Sequence, residues 1–175
     1  LISWNGFQGA EKVAKAFNKT PPLDIRVNCL LSSPEILKKE FANQGICSSF
    51  IEGCPNGLEI EAGSGNLREW PAFDKGHWCV QDRSAQWVVP LLNPQPGDRI
   101  LDACSAPGGK VTHLAELMNN VGEIWAVDRS SSRLKKIEAN AARLGNNALN
   151  FLVADSTNLL DVKPEWRSYF QKILL

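Results

Sequence analysis

Ile100-Leu101-Asp102-Ala103-Cys104-Ser105-Ala106-Pro107-Gly108-Gly109-Lys110 is the stretch on which the reading of this sequence turns. Residues 99–103 form a short, mostly apolar strand, a proline and two glycines follow, and 110–118 take up a helical period. A strand that passes through a glycine turn into a helix is the first half of a βαβ unit. The unit repeats, with 124–127 and 149–153 as strands and 131–144 as a helix. Along that helix Leu134, Ile137, Ala141 and Leu144 recur at spacings of three and four, one face for packing. Alternation of this kind specifies a parallel, doubly wound α/β sheet, in which ligands sit beyond the carboxyl ends of the strands.

Upstream the pattern differs. Residues 7–18 read as a short helix that Thr20-Pro21-Pro22 stops, and 23–29 alternate apolar and polar as a half-buried strand does. Ser33 is a good N-cap, Pro34 sits at the first helical position, Ile36, Leu37 and Phe41 make a stripe, and Gly45 closes the helix. Two short strands, 46–51 and 58–60, flank the turn Pro55-Asn56-Gly57. The result is a small α+β unit. The irregular stretch 63–76 holds Trp70, Pro71 and Phe73 and marks the expected boundary, giving units of 1–76 and 77–175. Past it, 81–92 is helical with Pro90 bending it, and 93–98 is a loop. Both ends read as edges: Leu1 opens in mid-pattern, and 172–175 start a strand with no stop signal after it.

Composition narrows the function classes. With 43% apolar and 22% charged residues in 175, the chain has the make-up of a soluble globular protein. Lys plus Arg equals Asp plus Glu at 19 each, so no global field draws it to nucleic acid or membrane. Any RNA-binding strip must be local, with Arg26, Lys38 and Lys39 as candidates; the two lysines read equally well as a solvated helix face. No apolar run approaches the roughly 20 residues of a membrane span, which makes a cytoplasmic location the default. Five cysteines without a C-x-x-C pair argue against a disulfide framework and structural zinc, and with two histidines besides, no metal site is expected.

Three features carry chemistry. The paired glycines let backbone approach a ligand, and the helix start after them offers free N–H groups to a carboxylate or phosphate, although a glycine pair can also be no more than a tight turn. Asp128 follows the strand 124–127 at the spacing of an acid that grips a ribose diol; it could instead cap the next helix, a role Ser130 or Ser131 can fill. Asp155 ends the next strand and could accept from a purine amine or cap a turn. The G-x-G-x-x-G spacing of nicotinamide sites is absent, and the P-loop fails because Val111 follows Lys110. S-adenosylmethionine is thereby placed ahead of dinucleotides and nucleoside triphosphates.

Val80-Gln81-Asp82, Ile100-Leu101-Asp102, the run 104–110, Asp128 with Arg133, and Asp155 resemble the Sun/Fmu (RsmB-like) family of S-adenosylmethionine-dependent RNA cytosine-C5 methyltransferases. Pro21-Pro22-Leu23 and Arg26-Val27-Asn28 resemble the small RNA-binding subdomain that precedes that family's catalytic domain. The family often has alanine at Ser105 and threonine at Val111. The resemblance implies a Rossmann-like class I methyltransferase sheet, incomplete at its carboxyl end, preceded by a small α+β RNA-binding subdomain. It implies ribosomal RNA as the partner and S-adenosyl-L-methionine as the cofactor. Cys104, Ser105, Ala106, Pro107, Gly108, Gly109 and Lys110 would hold its methionine part, Asp128 its ribose and Asp155 its adenine, with Arg133 nearby. Lys110 and Arg133 also read as solvated helix charges. The family's catalytic cysteines fall in Asp-Ala-Pro-Cys and Thr-Cys segments beyond Leu175, so no catalytic residue is expected here. Two readings of other classes stay open at this point, a NAD-type dinucleotide-dependent enzyme and a non-catalytic RNA-binding module.

Overall fold

The structure, a computed structural model, describes residues 2–18, 21–62 and 65–175. Leu1, Thr20 and Gly63, each used above to mark an edge, lie outside them. Helix α1 (Ile2–Phe17) starts earlier than its period predicts and is broken at Gly6, where φ is 65°. Strand β1 (Leu23–Val27), helix α2 (Pro34–Ala42), and strands β2 (Cys47–Phe50) and β3 (Gly57–Ala62) follow. Ser33 caps α2 by accepting from the Ile36 N–H. Leu37 and Phe41 bury as expected, whereas Ile36 turns outward and is 53% exposed.

The small sheet has the order β2-β3-β1-β4 and is antiparallel throughout. Its last member, β4 (Trp78–Val80), is invisible in the sequence. Three residues carry no usable period; what makes them a strand is the open edge of β1, where Arg26 lies opposite Cys79 and Val27 opposite Trp78. This sheet therefore reaches Val80, past the boundary expected at 76. Its core sets three aromatic rings among aliphatic side chains: Phe41 meets Trp70 and Trp78 edge-on at 5.8 and 5.7 Å, and Trp78 Nε1 donates to the Pro71 carbonyl.

Helix α3 (Arg83–Leu92), capped by Asp82 and containing Pro90, leads to the second layer. This comprises β5 (Arg99–Asp102), α4 (Gly109–Leu117), β6 (Glu123–Asp128), α5 (Ser131–Leu144), β7 (Leu149–Val153), the one-turn α6 (Leu159–Val162) and β8 (Lys172–Leu174). The sheet order is β7-β6-β5-β8, all parallel, with Ile100 between Ile124 and Lys172. This is the doubly wound, Rossmann-like sheet expected. The chain leaves β5 toward β6 on one side and returns as β8 on the other, so the switch point of the sheet lies at the end of β5.

The two layers are joined closely. Helix α3 packs on both α4 and β1. Asn28 Nδ2 donates to the carbonyls of Gly76 and Leu144 at 3.0 and 2.8 Å, and Arg143 Nη1 to those of Phe73 and Trp78 at 2.5 and 3.1 Å. Arg26, taken from sequence as a surface cation for RNA, is fully buried and paired with Glu116 of α4, so it cannot meet a phosphate. A strand residue that faces another layer is buried whatever its charge. Lys38 does lie at the surface side, 4.7 Å above the exposed Phe50 ring. Among the described residues no helix is long and apolar enough to cross a membrane, and no group of three or more His, Cys, Asp or Glu could hold a metal.

Gly76 is the tightest point of this junction. Its φ is +74°, and a Cβ there would lie 2.0 Å from the Arg143 carbonyl oxygen, backbone that has no rotamer to escape into. Gly76→Ala is expected to lower the unfolding free energy by roughly 2–4 kcal/mol through strain and clash combined. Denaturant titration followed by tryptophan fluorescence checks it.

Candidate functional site

Parallel strands bring three acids to one rim. Asp102 is the last residue of β5, Asp128 the last of β6, and Asp155 stands two residues beyond β7. The loop between β5 and α4 is pinned from three sides: Ala103 N–H donates to the Leu174 carbonyl, Ser105 N–H to that of Val127, and Ser105 Oγ to the Asp102 carbonyl at 2.8 Å. Ser156 Oγ also donates to the Ala103 carbonyl. The Ala106–Pro107 peptide is cis. Gly108 has φ +104°, and a Cβ on it would come within 2.9 Å of Ile137 Cγ2, so this glycine serves both the turn and the close approach of α5. Gly108 is also the N-cap of α4 and supplies no side-chain acceptor. The first N–H groups of α4 are thus left to a ligand or solvent, with the positive end of the helix behind them.

Asp102 was quoted as part of a motif but given no role by sequence reading. The structure gives it one. It is 2% exposed, its Oδ1 takes only a long bond from Cys104 N–H at 3.3 Å, and its Oδ2 is buried with no partner. Burial raises its carboxyl to about 6, against the pull of the Cys104 N–H and the nearby Lys110. A carboxylate at the carboxyl end of a parallel strand, directly after Ile100 and Leu101, was the available signal. Gln81 is a second omission: its buried Nε2 also lacks a partner. Both line a cavity of about 320 Å³ together with Asp82, Ser105, Gly109 and Lys110.

Asp128 is buried and firmly held. Ser130 N–H donates to Oδ1 at 2.9 Å, Ala106 N–H to Oδ2 at 3.4 Å, and Arg133 Nη2 to both at 3.0 and 3.1 Å. Burial alone would raise this carboxyl, but the Ser130 N–H and the Arg133 guanidinium outweigh it and hold it below the usual range. Ser130, not Asp128, caps α5, so the competing use of Asp128 falls away. Arg133 is an ion-pair partner and not a free surface charge.

Asp155 is exposed and does cap a turn, with Oδ1 taking the Thr157 N–H and hydroxyl at 3.0 and 2.7 Å, which lowers its pKa. It nevertheless lines the same cavity as Asp128 and Arg133, one of about 510 Å³. Cys104 and Ala106 line both cavities, which places the loop between them. The candidate cofactor residues therefore gather on one rim, with a fully bonded carboxylate, Asp128, on one side of the loop and a buried carboxylate with an idle oxygen, Asp102, on the other.

Known proteins resemble this chain over most of its length. The family described as 16S rRNA methyltransferase RsmB/F matches residues 89–175. The chain is 41% identical over 154 residues to the probable ribosomal RNA small subunit methyltransferase B of Synechocystis sp., an overlap of 88% of this chain and 34% of that protein. It is 36% identical over 142 residues to the 26S rRNA (cytosine-C(5))-methyltransferase nsun-1 of Caenorhabditis elegans, covering 79% and 21% respectively. Among solved structures, a methyltransferase homolog protein from Pyrococcus horikoshii superposes with TM-score 0.86 at 30% identity, over 97% of this chain and 54% of that one. The chain spans about a third of the length of the curated relatives it matches first. With the parallel sheet and the glycine turn in place, residues 89–175 of the chain belong to the RsmB/F methyltransferase family.

Proposed function

We propose that this chain forms the S-adenosylmethionine-binding part of an enzyme that methylates carbon 5 of cytosine in ribosomal RNA. The observation that carries the reading is the pair of unlike carboxylates on either side of one glycine turn. Asp102, buried and with an unpartnered oxygen, suits a cation that brings its own charge, such as the ammonium of an amino acid. Asp128, already ionised and bonded, suits neutral hydroxyls such as a ribose diol. The amino-terminal N–H groups of α4 suit the amino acid's carboxylate, and Asp155 with its turn would face the adenine. An amino acid joined to a nucleoside satisfies all of these at once. A dinucleotide would leave Asp102 without a cation.

The bound cofactor would supply an electrophilic methyl group. What the chain's own residues do is bind and orient it: Gly108 and Gly109 allow close approach, Asp128 fixes the ribose, and Asp102 with Lys110 fixes the amino acid end. None of the five cysteines is proposed as the nucleophile that adds to carbon 6 of the base. Burial raises the thiol of Cys79, which disfavours the thiolate, and Cys104 is spent on the cofactor loop. For RNA we propose the surface where α2 meets the end of β2, on which Lys38 and Lys39 of the helix and Phe50 of the strand combine charge with an exposed ring.

Calorimetric titration with S-adenosylmethionine, S-adenosylhomocysteine and NAD separates the readings, the first two binding and NAD not. Asp128→Ala should weaken binding at least tenfold with circular dichroism unchanged, because a buried diol loses its acceptor. RNA affinity should fall steeply with salt, and the Lys38→Gln, Lys39→Gln double variant should flatten that slope in fluorescence anisotropy.

Asp102 yields a prediction of opposite signs. A carboxyl whose folded pKa lies above its unfolded value stabilises the fold only when protonated, so its contribution is present below about pH 4 and lost as pH rises through about 6. Asp102→Asn should therefore stabilise the ligand-free chain by roughly 1–3 kcal/mol at pH 7.5 and by little at pH 4. The same variant should bind S-adenosylmethionine several-fold more weakly. Thermal melts at the two pH values and one titration check both halves.

A further inference from the structure

Arg26 lies in the small sheet, yet all five of its side-chain N–H groups are spent on the other layer and on the link to it. Nε donates to Glu116 Oε2 at 2.9 Å and Nη2 to Glu116 Oε1 at 2.6 Å. Nη2 also donates to Thr112 Oγ1 at 3.0 Å. Nη1 donates to Gln81 Oε1 and, at 2.6 Å, to the carbonyl of Gly109. The side chain is entirely buried, as is that of Glu116. Thr112 continues the chain of contacts, its hydroxyl lying 2.9 Å from the Gly108 carbonyl and 3.2 Å from that of Gly109. Gln81, held by the same guanidinium, packs against Gly109: a Cβ on that glycine would sit 3.4 Å from Gln81 Nε2. The guanidinium thus grips the two glycines of the turn from behind, directly at one carbonyl and through a threonine at the other.

We propose that Arg26 is a positioning residue for the cofactor site, acting through Gly109, Thr112 and Gln81 to set the turn on which the ligand rests. The inference rests on the cofactor reading above. A planar fork with five donors can satisfy Glu116, Thr112, Gln81 and Gly109 together; an ammonium with three donors keeps the charge and the pairing with Glu116 but must release part of this set. The contacts to be released are those of Nη1, the nitrogen that makes no bond to the carboxylate, and the Gly109 carbonyl is one of its two acceptors. Arg143 provides the contrast, since it ties the same two layers through the Phe73 and Trp78 carbonyls and does not touch the turn.

The test uses the whole chain and two readouts. Arg26→Lys should weaken S-adenosylhomocysteine binding at least tenfold at a temperature well below its melting point. It should also move the backbone amide resonances of Gly108, Gly109 and Lys110 in the ligand-free chain. Thr112→Val, which keeps side-chain volume and removes the relay hydroxyl, should do both to a lesser degree, about threefold in affinity. Arg143→Lys should lower the melting temperature and change neither affinity nor those resonances. Unaltered affinity and unaltered turn resonances in Arg26→Lys overturn the proposal, as does an Arg143→Lys variant that loses affinity equally. Should Arg26→Lys not fold, Thr112→Val decides by the same criteria. If the unsubstituted chain binds neither S-adenosylmethionine nor its product, the cofactor reading fails, and the turn resonances alone decide whether Arg26 sets the loop.

Discussion

A guanidinium removed from water has to find an acceptor for every N–H it carries, and the placement of Arg26 against Glu116 is where the architecture is fixed. Pairs of this kind are poor sources of stability, because the desolvation of two charges consumes most of what their attraction returns. They are good at excluding alternatives. Any slip of β1 along α4, or any rotation of the small sheet about α3, would leave a buried charge unmatched at a cost of about 3–5 kcal/mol. Burial raises the carboxyl of Glu116 while the guanidinium draws it back toward ionisation, so the pair depends on being complete. The two layers, each with its own apolar core, are held in one register by polar contacts and not by a shared greasy face.

The rim divides its labour among three carboxylates. Two end neighbouring parallel strands and the third stands two residues past the next, yet their environments drive them apart: Asp102 is pushed up by burial, while Asp128 and Asp155 are pulled down by the donors around them. Identical carboxyl groups on one rim therefore differ in charge and in the acceptor atoms they leave free. The glycine turn stands between the two buried acids because β5 is the strand at which the sheet reverses its order of growth, where the loops on either side diverge.

What could be read from sequence follows the range of the forces involved. Helix 131–144 and strand 149–153 come out at their observed limits, because a serine cap and an apolar period are local signals. The strand at Trp78–Val80 does not, since only the open edge of β1, some fifty residues earlier, makes it one. Asp128 and the turn 104–110 were legible by spacing. The role of Asp102 was not, because a carboxylate with one idle oxygen looks no different in a sequence from one fully bonded. Arg26 was read the wrong way round for the same reason: the residue that neutralises it is ninety positions away. Side chains whose meaning depends on a distant partner are the ones that local reading assigns to the surface.

The bonds already made to Asp128 have a consequence for how a ligand enters. A carboxylate offers about four acceptor directions, and here Ser130, Ala106 and the forked Arg133 contact use them all. A diol arriving at this position finds no vacant seat; it has to exchange with the guanidinium, whose side chain is 58% exposed and can turn into solvent. Recognition is then a trade of one charged partner for two neutral ones, and its strength is the difference between them. Because dissolved salt loosens the outgoing ion pair more than it loosens incoming hydroxyl bonds, the nucleoside end of the proposed ligand would gain relative ground as ionic strength rises, while an amino acid end held by charge would lose it. The two halves of one small ligand would thus be tuned in opposite directions by the same solvent.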